Sequence, residues 1–249
     1  LEQFTSNDND KTKIAFVLGN GRSRLSFDIG KLSKYGTVYG CNRIYDHLFP
    51  DYLVAVDKAM IDMLLLDDIQ KKTKIVIDKR IYDKHYGNTR SLDHIDPFVH
   101  GIIDSGNLAC MLAAQHGHTQ VFMIGFDYIS QDGYHNNVYS GKKPYKDKHQ
   151  THTLPISVEN WYKKCQIVIN RYDKVLFARI NNNDYVPPIQ ALNFVNLLPE
   201  DFDKLFPDIY DCDINIPRSY KPIIDKLPKR GGRVMIQAPL THGMVRWKK

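Results

Sequence analysis

The sequence predicts an α/β protein, a Rossmann-like parallel sheet with helices on both faces, followed by an irregular C-terminal extension. Three observations predict it. Between residues 13 and 180, short runs rich in β-branched and aromatic residues alternate with stretches of helical spacing, the signature of consecutive βαβ units. Small and polar residues gather where the short runs end, at the sheet edge where such folds hold ligands. Beyond Asn181 the alternation decays, and residues 181–249 hold eight of the twelve prolines.

The elements follow in order. KIAFVL (13–18) reads as a strand that stops at Gly19-Asn20-Gly21, and LSFDIGKLSKY (25–35) as a short helix with Leu25, Ile29 and Leu32 on one face. TVYGC (37–41) and DYLVAVD (51–57) read as the second and third strands, MIDMLLLDDIQ (60–70) as a helix and KIVID (74–78) as the fourth strand. IIDSGNLACMLAAQHG (102–117) is a helix with Asp104 and Ser105 as N-cap candidates and Gly117 at its end. QVFMIGFD (120–127) is the fifth strand, SVENWYKKCQIVINRY (157–172) a helix and KVLFARI (174–180) the sixth strand. Residues 128–155 are polar and rich in Tyr and His, without periodicity. The expected organisation is a flexible leader (1–12), a nucleotide-binding and catalytic domain (13–180), and a Pro-rich, basic extension (181–249).

At 43% hydrophobic and 25% charged residues the composition is that of a globular protein with a real core. The net charge of +6 is not spread evenly. Residues 218–249 carry nine Lys or Arg against one Asp, which leaves the rest slightly acidic. A basic segment of this kind suits nucleic acid, an anionic surface or an acidic partner. Cys41, Cys110, Cys165 and Cys212 are widely spaced, with no C-x-x-C pair, as expected of packed, reduced thiols. No apolar run approaches the length of a membrane-spanning helix, and no apolar signal core is present, so a cytoplasmic protein is expected.

The strand-to-glycine turn in FVLGNGRSR fits neither common phosphate motif. A dinucleotide fingerprint requires a third glycine where Arg24 stands, and a P-loop requires a Lys-Ser or Lys-Thr that is absent. Four other segments carry similar residue types: Gly40-Cys41-Asn42-Arg43, Asp57-Lys58, Asp104-Ser105-Gly106-Asn107 and Gly125-Phe126-Asp127-Tyr128. Glycines permit close backbone approach, Asn amides both donate and accept, and a helix N-terminus favours an anion.

These motifs resemble those of the bacterial sialyltransferases of glycosyltransferase family 42, with the longest stretch at DSGNLACMLAAQHGHTQVFMIGFDYIS (104–130). The same elements resemble the related flagellin-modifying transferases and archaeal-type 6-hydroxymethylpterin pyrophosphokinases. The likeness covers residues 13–180. It implies an inverting transferase that uses a CMP- or UDP-sugar donor and needs no metal. Asn20, Gly21, Ser23, Asn42, Ser105, Gly106 and Asp127 are then its nucleotide-binding residues, and Gly19, Arg22 and Gly125 join them as nucleotide-binding candidates from their place in the same turns. It further implies tyrosines on the leaving phosphate, with Tyr134, Tyr139 and Tyr145 as candidates, and a loop histidine as general base, His149 or His152, with His135 more remote. Histidine suits that task because its pKa lies near neutrality, and Tyr hydroxyls with a helix N-terminus stabilise a leaving phosphate without a metal.

The chain departs from the family at Arg22, where the sialyltransferases have Pro. With Arg24 nearby the turn reads as more cationic, which suits a di- or triphosphate as well as a monophosphate. Asp211-Cys212-Asp213 mimics a D-x-D metal motif but lies in the Pro-rich segment, and the loop histidines match no common zinc spacing. Two other functions are compatible with the sequence. One is an ATP- and Mg²⁺-dependent diphosphotransferase with Asp57 and Asp127 as ligands. The other is a nucleotide- or nucleic-acid-binding factor acting through residues 218–249.

Overall fold

A computed structural model describes residues 12–98, 103–128, 137–145, 155–180 and 186–210. Eight strands form one sheet: β1 (Ile14–Leu18), β2 (Thr37–Cys41), β3 (Tyr52–Ala55), β4 (Lys74–Asp78), β5 (Leu92–Ile95), β6 (Gln120–Ile124), β7 (Leu176–Ile180) and β8 (Phe194–Leu197). Their order is β5-β4-β3-β2-β1-β6-β7-β8 and every pairing is parallel. Strand order reverses between β1 and β6, and that switch point is where an open α/β sheet offers a ligand crevice.

The central strand β1 has the sequence IAFVL and is buried at all five positions, as a parallel strand covered on both faces must be. Alternate residues feed two cores. Ala15 and Val17 join Tyr39, Val54, Val121 and Phe177 under α3 (Ser105–Gln115) and α4 (Pro155–Arg171). Phe16 and Leu18 join Leu53, Ile75 and Phe122 under α1 (Lys58–Leu66) and α5 (Pro199–Leu205). A small helix, α2 (Lys79–His85), lies between β4 and β5. Nine of the eleven residues of α3 are buried, which is why its sequence is apolar or small all round.

Three elements differ from expectation. The segment expected to be one helix over 25–35 is instead two 3-10 stretches, Arg22–Ser26 and Ile29–Lys34. Gly30 lowers helix propensity within the segment, and Leu25, the first residue of the expected stripe, is exposed and not packed inward with Leu32, so single turns form and not a continued α-helix. Strand β5 was masked in the sequence by exposed Asp93 and His94 between buried Leu92 and Ile95. The sheet also does not stop at residue 180. β8 pairs with β7, and Phe202, Phe206 and Ile209 pack into the second core. There Phe206 meets Phe16 at 5.1 Å and Phe122 at 4.9 Å between ring centroids, both edge-on.

Cys41, Cys110 and Cys165 are buried and unbridged. No helix among the described residues is long and apolar enough to cross a membrane.

Candidate functional site

A cavity of about 460 Å³ lies along the carboxyl ends of the central strands. It gathers residues from the ends of β1, β2, β3 and β6, the first turn of α3, the segment 137–145 and one face of α4.

The turn after β1 is held by the turn after β6. Gly19 N–H donates to Ile124 O at 2.8 Å and Gly21 N–H to Gly125 O at 2.9 Å. A Cβ on Gly19 would sit 2.5 Å from Gly125 O, and one on Gly21 would sit 2.5 Å from Asp127 Cγ. The glycine pair therefore makes room for a neighbouring turn, and both its N–H groups are engaged within the protein. Asp127 completes the clamp: its carboxylate accepts from Ser23 N–H at 3.1 Å and from Ser23 Oγ, with both residues almost fully buried. On the far side, Arg179 of β7 donates to the carbonyls of Phe126 at 2.6 Å and Asp127 at 3.3 Å. Tyr128 then adopts φ 57, a left-handed conformation that a bulky residue takes only where its surroundings impose it.

A polar chain crosses the cavity from α3 to this turn. Ser105 Oγ donates to Asn42 Oδ1 at 2.9 Å, and Asn20 Nδ2 donates to Tyr145 Oη at 3.1 Å. Burial pushes the Tyr145 pKa up, and hydrogen bonds from Asn137 and Asn42 partly offset this. Asn42 reaches its position through φ 55 at the end of β2, which Asn tolerates better than other side chains. Asp104 caps α3, accepting from Asn107 N–H at 3.0 Å and Asn107 Nδ2 at 2.6 Å. Desolvation raises the pKa of the half-buried Asp104, and also that of Asp57, an exposed residue that lines the cavity without capping α1.

Of the residues nominated from sequence, Gly19, Asn20, Gly21, Asn42, Ser105, Gly106, Gly125, Asp127 and Tyr145 line this one cavity. Ser23 sits behind it on Asp127, and Arg22 is exposed and off the lining. The cationic turn expected from Arg22 and Arg24 does not face the cavity. Arg24 is 2% exposed and its guanidinium points the other way, to Gly19 O at 2.9 Å, Tyr139 Oη at 2.9 Å and His47 Nδ1 at 3.3 Å. Tyr139 is fully buried in that cluster, where it helps fix segment 137–145 against the turn. His149, His152, His135, Tyr134, Asp211–Asp213 and residues 218–249 lie outside the described residues. Among the described residues no three His, Cys, Asp or Glu side chains converge as a metal site, and the Asp127 carboxylate is engaged by Ser23.

Sequence reasoning missed the face of α4. Asn160, Trp161 and Lys164 line the cavity, and their one helix-face spacing in an otherwise apolar-backed helix was the available signal.

No protein-family model matches the chain, and no curated protein matches it. Solved structures similar to it include the sialyltransferase CstII from Campylobacter jejuni in complex with the substrate analogue CMP-3FNeuAc, at 13% identity over 84% of this chain and 95% of that one, with a TM-score of 0.48. CstII in complex with a trisaccharide acceptor and CMP is 13% identical over 73% of this chain and 86% of that one, with a TM-score of 0.47. The monofunctional α-2,3-sialyltransferase Cst-I from Campylobacter jejuni is 14% identical over 67% and 75%, with a TM-score of 0.45.

Proposed function

We propose that the cavity binds a nucleotide-activated sugar and that the protein is a glycosyltransferase. The observation that carries this reading is convergence. Gly19-Asn20-Gly21, Asn42, Ser105-Gly106, Gly125–Asp127 and Tyr145 meet at one cavity, although Asn20 and its partner Tyr145 stand 125 residues apart in the chain. Its size suits a small organic ligand, and its lining combines amides, a tyrosine hydroxyl and a helix N-terminus. Amides read a base edge or ribose hydroxyls. The α3 N-terminus and the Tyr145 hydroxyl supply positive potential where a departing phosphate gains charge. In this reading an acceptor hydroxyl loses its proton to His149 or His152 as it attacks the anomeric carbon from the face opposite the nucleotide. The C–O bond to the phosphate then breaks, and configuration inverts.

The test is a thermal-shift panel of CMP, UDP, GDP and ATP with and without Mg²⁺. A cytidine or uridine nucleotide raises Tm without the metal. Stabilisation by ATP alone, and only with Mg²⁺, supports a diphosphotransferase instead, and no shift with any nucleotide rejects both. Assays of nucleotide release from CMP- and UDP-sugars, with His149→Ala and His152→Ala, then identify the base.

A further inference from the structure

Asn42 and Arg43 are consecutive, yet their side chains serve different neighbours. Asn42, in its left-handed conformation, accepts from Ser105 Oγ at the cavity, while Arg43 reaches the segment 137–145 that carries Tyr145. The short 3-10 helix Asn42–Asp46 sets this geometry. Three residues per turn bring side chains at i and i+3 onto one line, so Arg43 and Asp46 face each other. Arg43 Nε donates to Asp46 Oδ2 at 3.1 Å, and Nη2 donates to Oδ1 and Oδ2, each at 2.9 Å. The two side chains are only 16% and 15% exposed, so the pair holds its geometry better than a solvent-exposed one. With that edge of the guanidinium taken, Nη1 is left to donate to the carbonyl oxygen of Lys143, two residues before Tyr145. Lys142 adds a bond from Nζ to Asp46 Oδ2 at 3.1 Å. A planar guanidinium can serve the carboxylate and the carbonyl at once, which a single ammonium does less well. At the start of the segment, Val138 N–H donates to Asn20 O at 2.9 Å and Tyr139 Oη accepts from Arg24.

We propose that Arg43, oriented by Asp46, is a positioning residue: it anchors the end of segment 137–145 and so aims the Tyr145 hydroxyl into the cavity. The inference rests on the reading of Tyr145 as a donor to the leaving phosphate, and it adds the residue that holds this donor in place. A donor that meets a developing charge is effective only when it is preorganised. Tyr145 stands on a loop segment and not on a strand or helix, so its precision has to come from ties of this kind. Arg43 is not among the residues lining the cavity, and its effect passes through the segment.

Two measurements on the full chain test this. Hydrogen exchange without any ligand reads the anchor. Arg43→Met is expected to speed amide exchange across residues 137–145 by at least about tenfold and to leave peptides of β1 and β6 unchanged. Asp46→Asn, which removes the charge that orients the guanidinium, acts in the same direction and stands in if Arg43→Met does not fold. Turnover reads the consequence. With the nucleotide sugar the protein uses, Arg43→Met is expected to lower kcat about tenfold and to leave KM within about threefold. In a Tyr145→Phe background the same substitution lowers kcat by less than about threefold, because the hydroxyl it positions is gone. Unchanged exchange over 137–145, an unchanged kcat, or an undiminished loss in the Tyr145→Phe background overturns the inference. A parent protein that turns over no CMP- or UDP-sugar, while exchange still responds to Arg43→Met, overturns the transferase reading and not the anchor, so the two failures are separable.

Discussion

Ser23 and Asp127 stand 104 residues apart in the chain and are joined by two hydrogen bonds, one from the Ser23 backbone N–H and one from its hydroxyl. Each bond ties the turn after β1 to the turn after β6 at the point where strand order reverses. The pair shapes the cavity from behind. Replacing Asp127 with Ala leaves two buried donors without their acceptor, and we expect a loss of about 2–4 kcal/mol in urea unfolding. Ser23→Ala removes one charge-assisted bond and costs about 1.5–3 kcal/mol. If Asp127→Ala costs less than Ser23→Ala, the clamp is not the role of the aspartate.

The same junction makes Gly21 sensitive to a single methyl. Its added Cβ would meet Asp127 Cγ at 2.5 Å and Gly125 O at 2.6 Å, and Asp127 is held by Ser23 and cannot step aside. Gly21→Ala is expected to cost about 1–3 kcal/mol and to abolish the nucleotide-dependent rise in Tm. Gly117→Ala is the comparison. Gly117 has φ +88 but open space around the Cβ, so it loses about 1–2 kcal/mol through backbone strain and keeps the nucleotide response.

Tyr145 is the hydroxyl at the centre of the polar chain, and Tyr139 is not. Tyr145→Phe should lower kcat by about a hundredfold, the scale of losing one donor to a developing negative charge, with a smaller loss of about 0.5–1.5 kcal/mol in stability because Asn20 loses its acceptor. Tyr139→Phe takes an acceptor from the buried Arg24 guanidinium, so its effect appears in stability, at about 1.5–3 kcal/mol. A reversed pattern, with Tyr139→Phe impairing turnover in a fully stable protein, would return Tyr139 to the site.

The opposite end of the sheet is one source of acid sensitivity. Tyr39 Oη lies 2.8 Å from His116 Nδ1 and 2.9 Å from His118 Nε2. Burial lowers the pKa of His118, the proximity of His116 lowers it further, and a backbone contact with Thr12 opposes both. The folded state therefore refuses a proton that the unfolded chain accepts below about pH 6.5. Stability is fully present above that pH and is lost as pH falls toward the lower folded pKa. Urea midpoints from pH 7.5 to 5 should fall in the parent and fall less in His118→Gln, which keeps a hydrogen-bonding group but does not titrate. Equal acid limbs in the two proteins would assign the sensitivity elsewhere.

The sheet was legible because its strands are apolar on both faces, as KIAFVL, KIVID and QVFMI each display. β5 and β8 were not, since edge strands alternate with exposed residues such as Asp93 and His94, or are only partly buried, as in Phe194–Leu197. The gathering of site residues at one edge was legible from strand ends alone. Their individual tasks were not. Gly19 and Gly21 read equally well as ligand contacts and as a close crossing of two turns. Arg24 reads as a phosphate contact until a buried tyrosine 115 residues later is seen to hold it. Tertiary partners of that kind leave no local pattern.

The packing of Phe202 and Phe206 on Phe16 and Phe122 also sets an order in time. β1 leaves the ribosome about 185 residues before α5, the helix that covers one of its faces. At about 5–20 residues per second, that face waits roughly 10–40 s for its cover. Any shortened version ending near residue 180 would leave those rings permanently wet, so an expression design for this domain has to run through Tyr210.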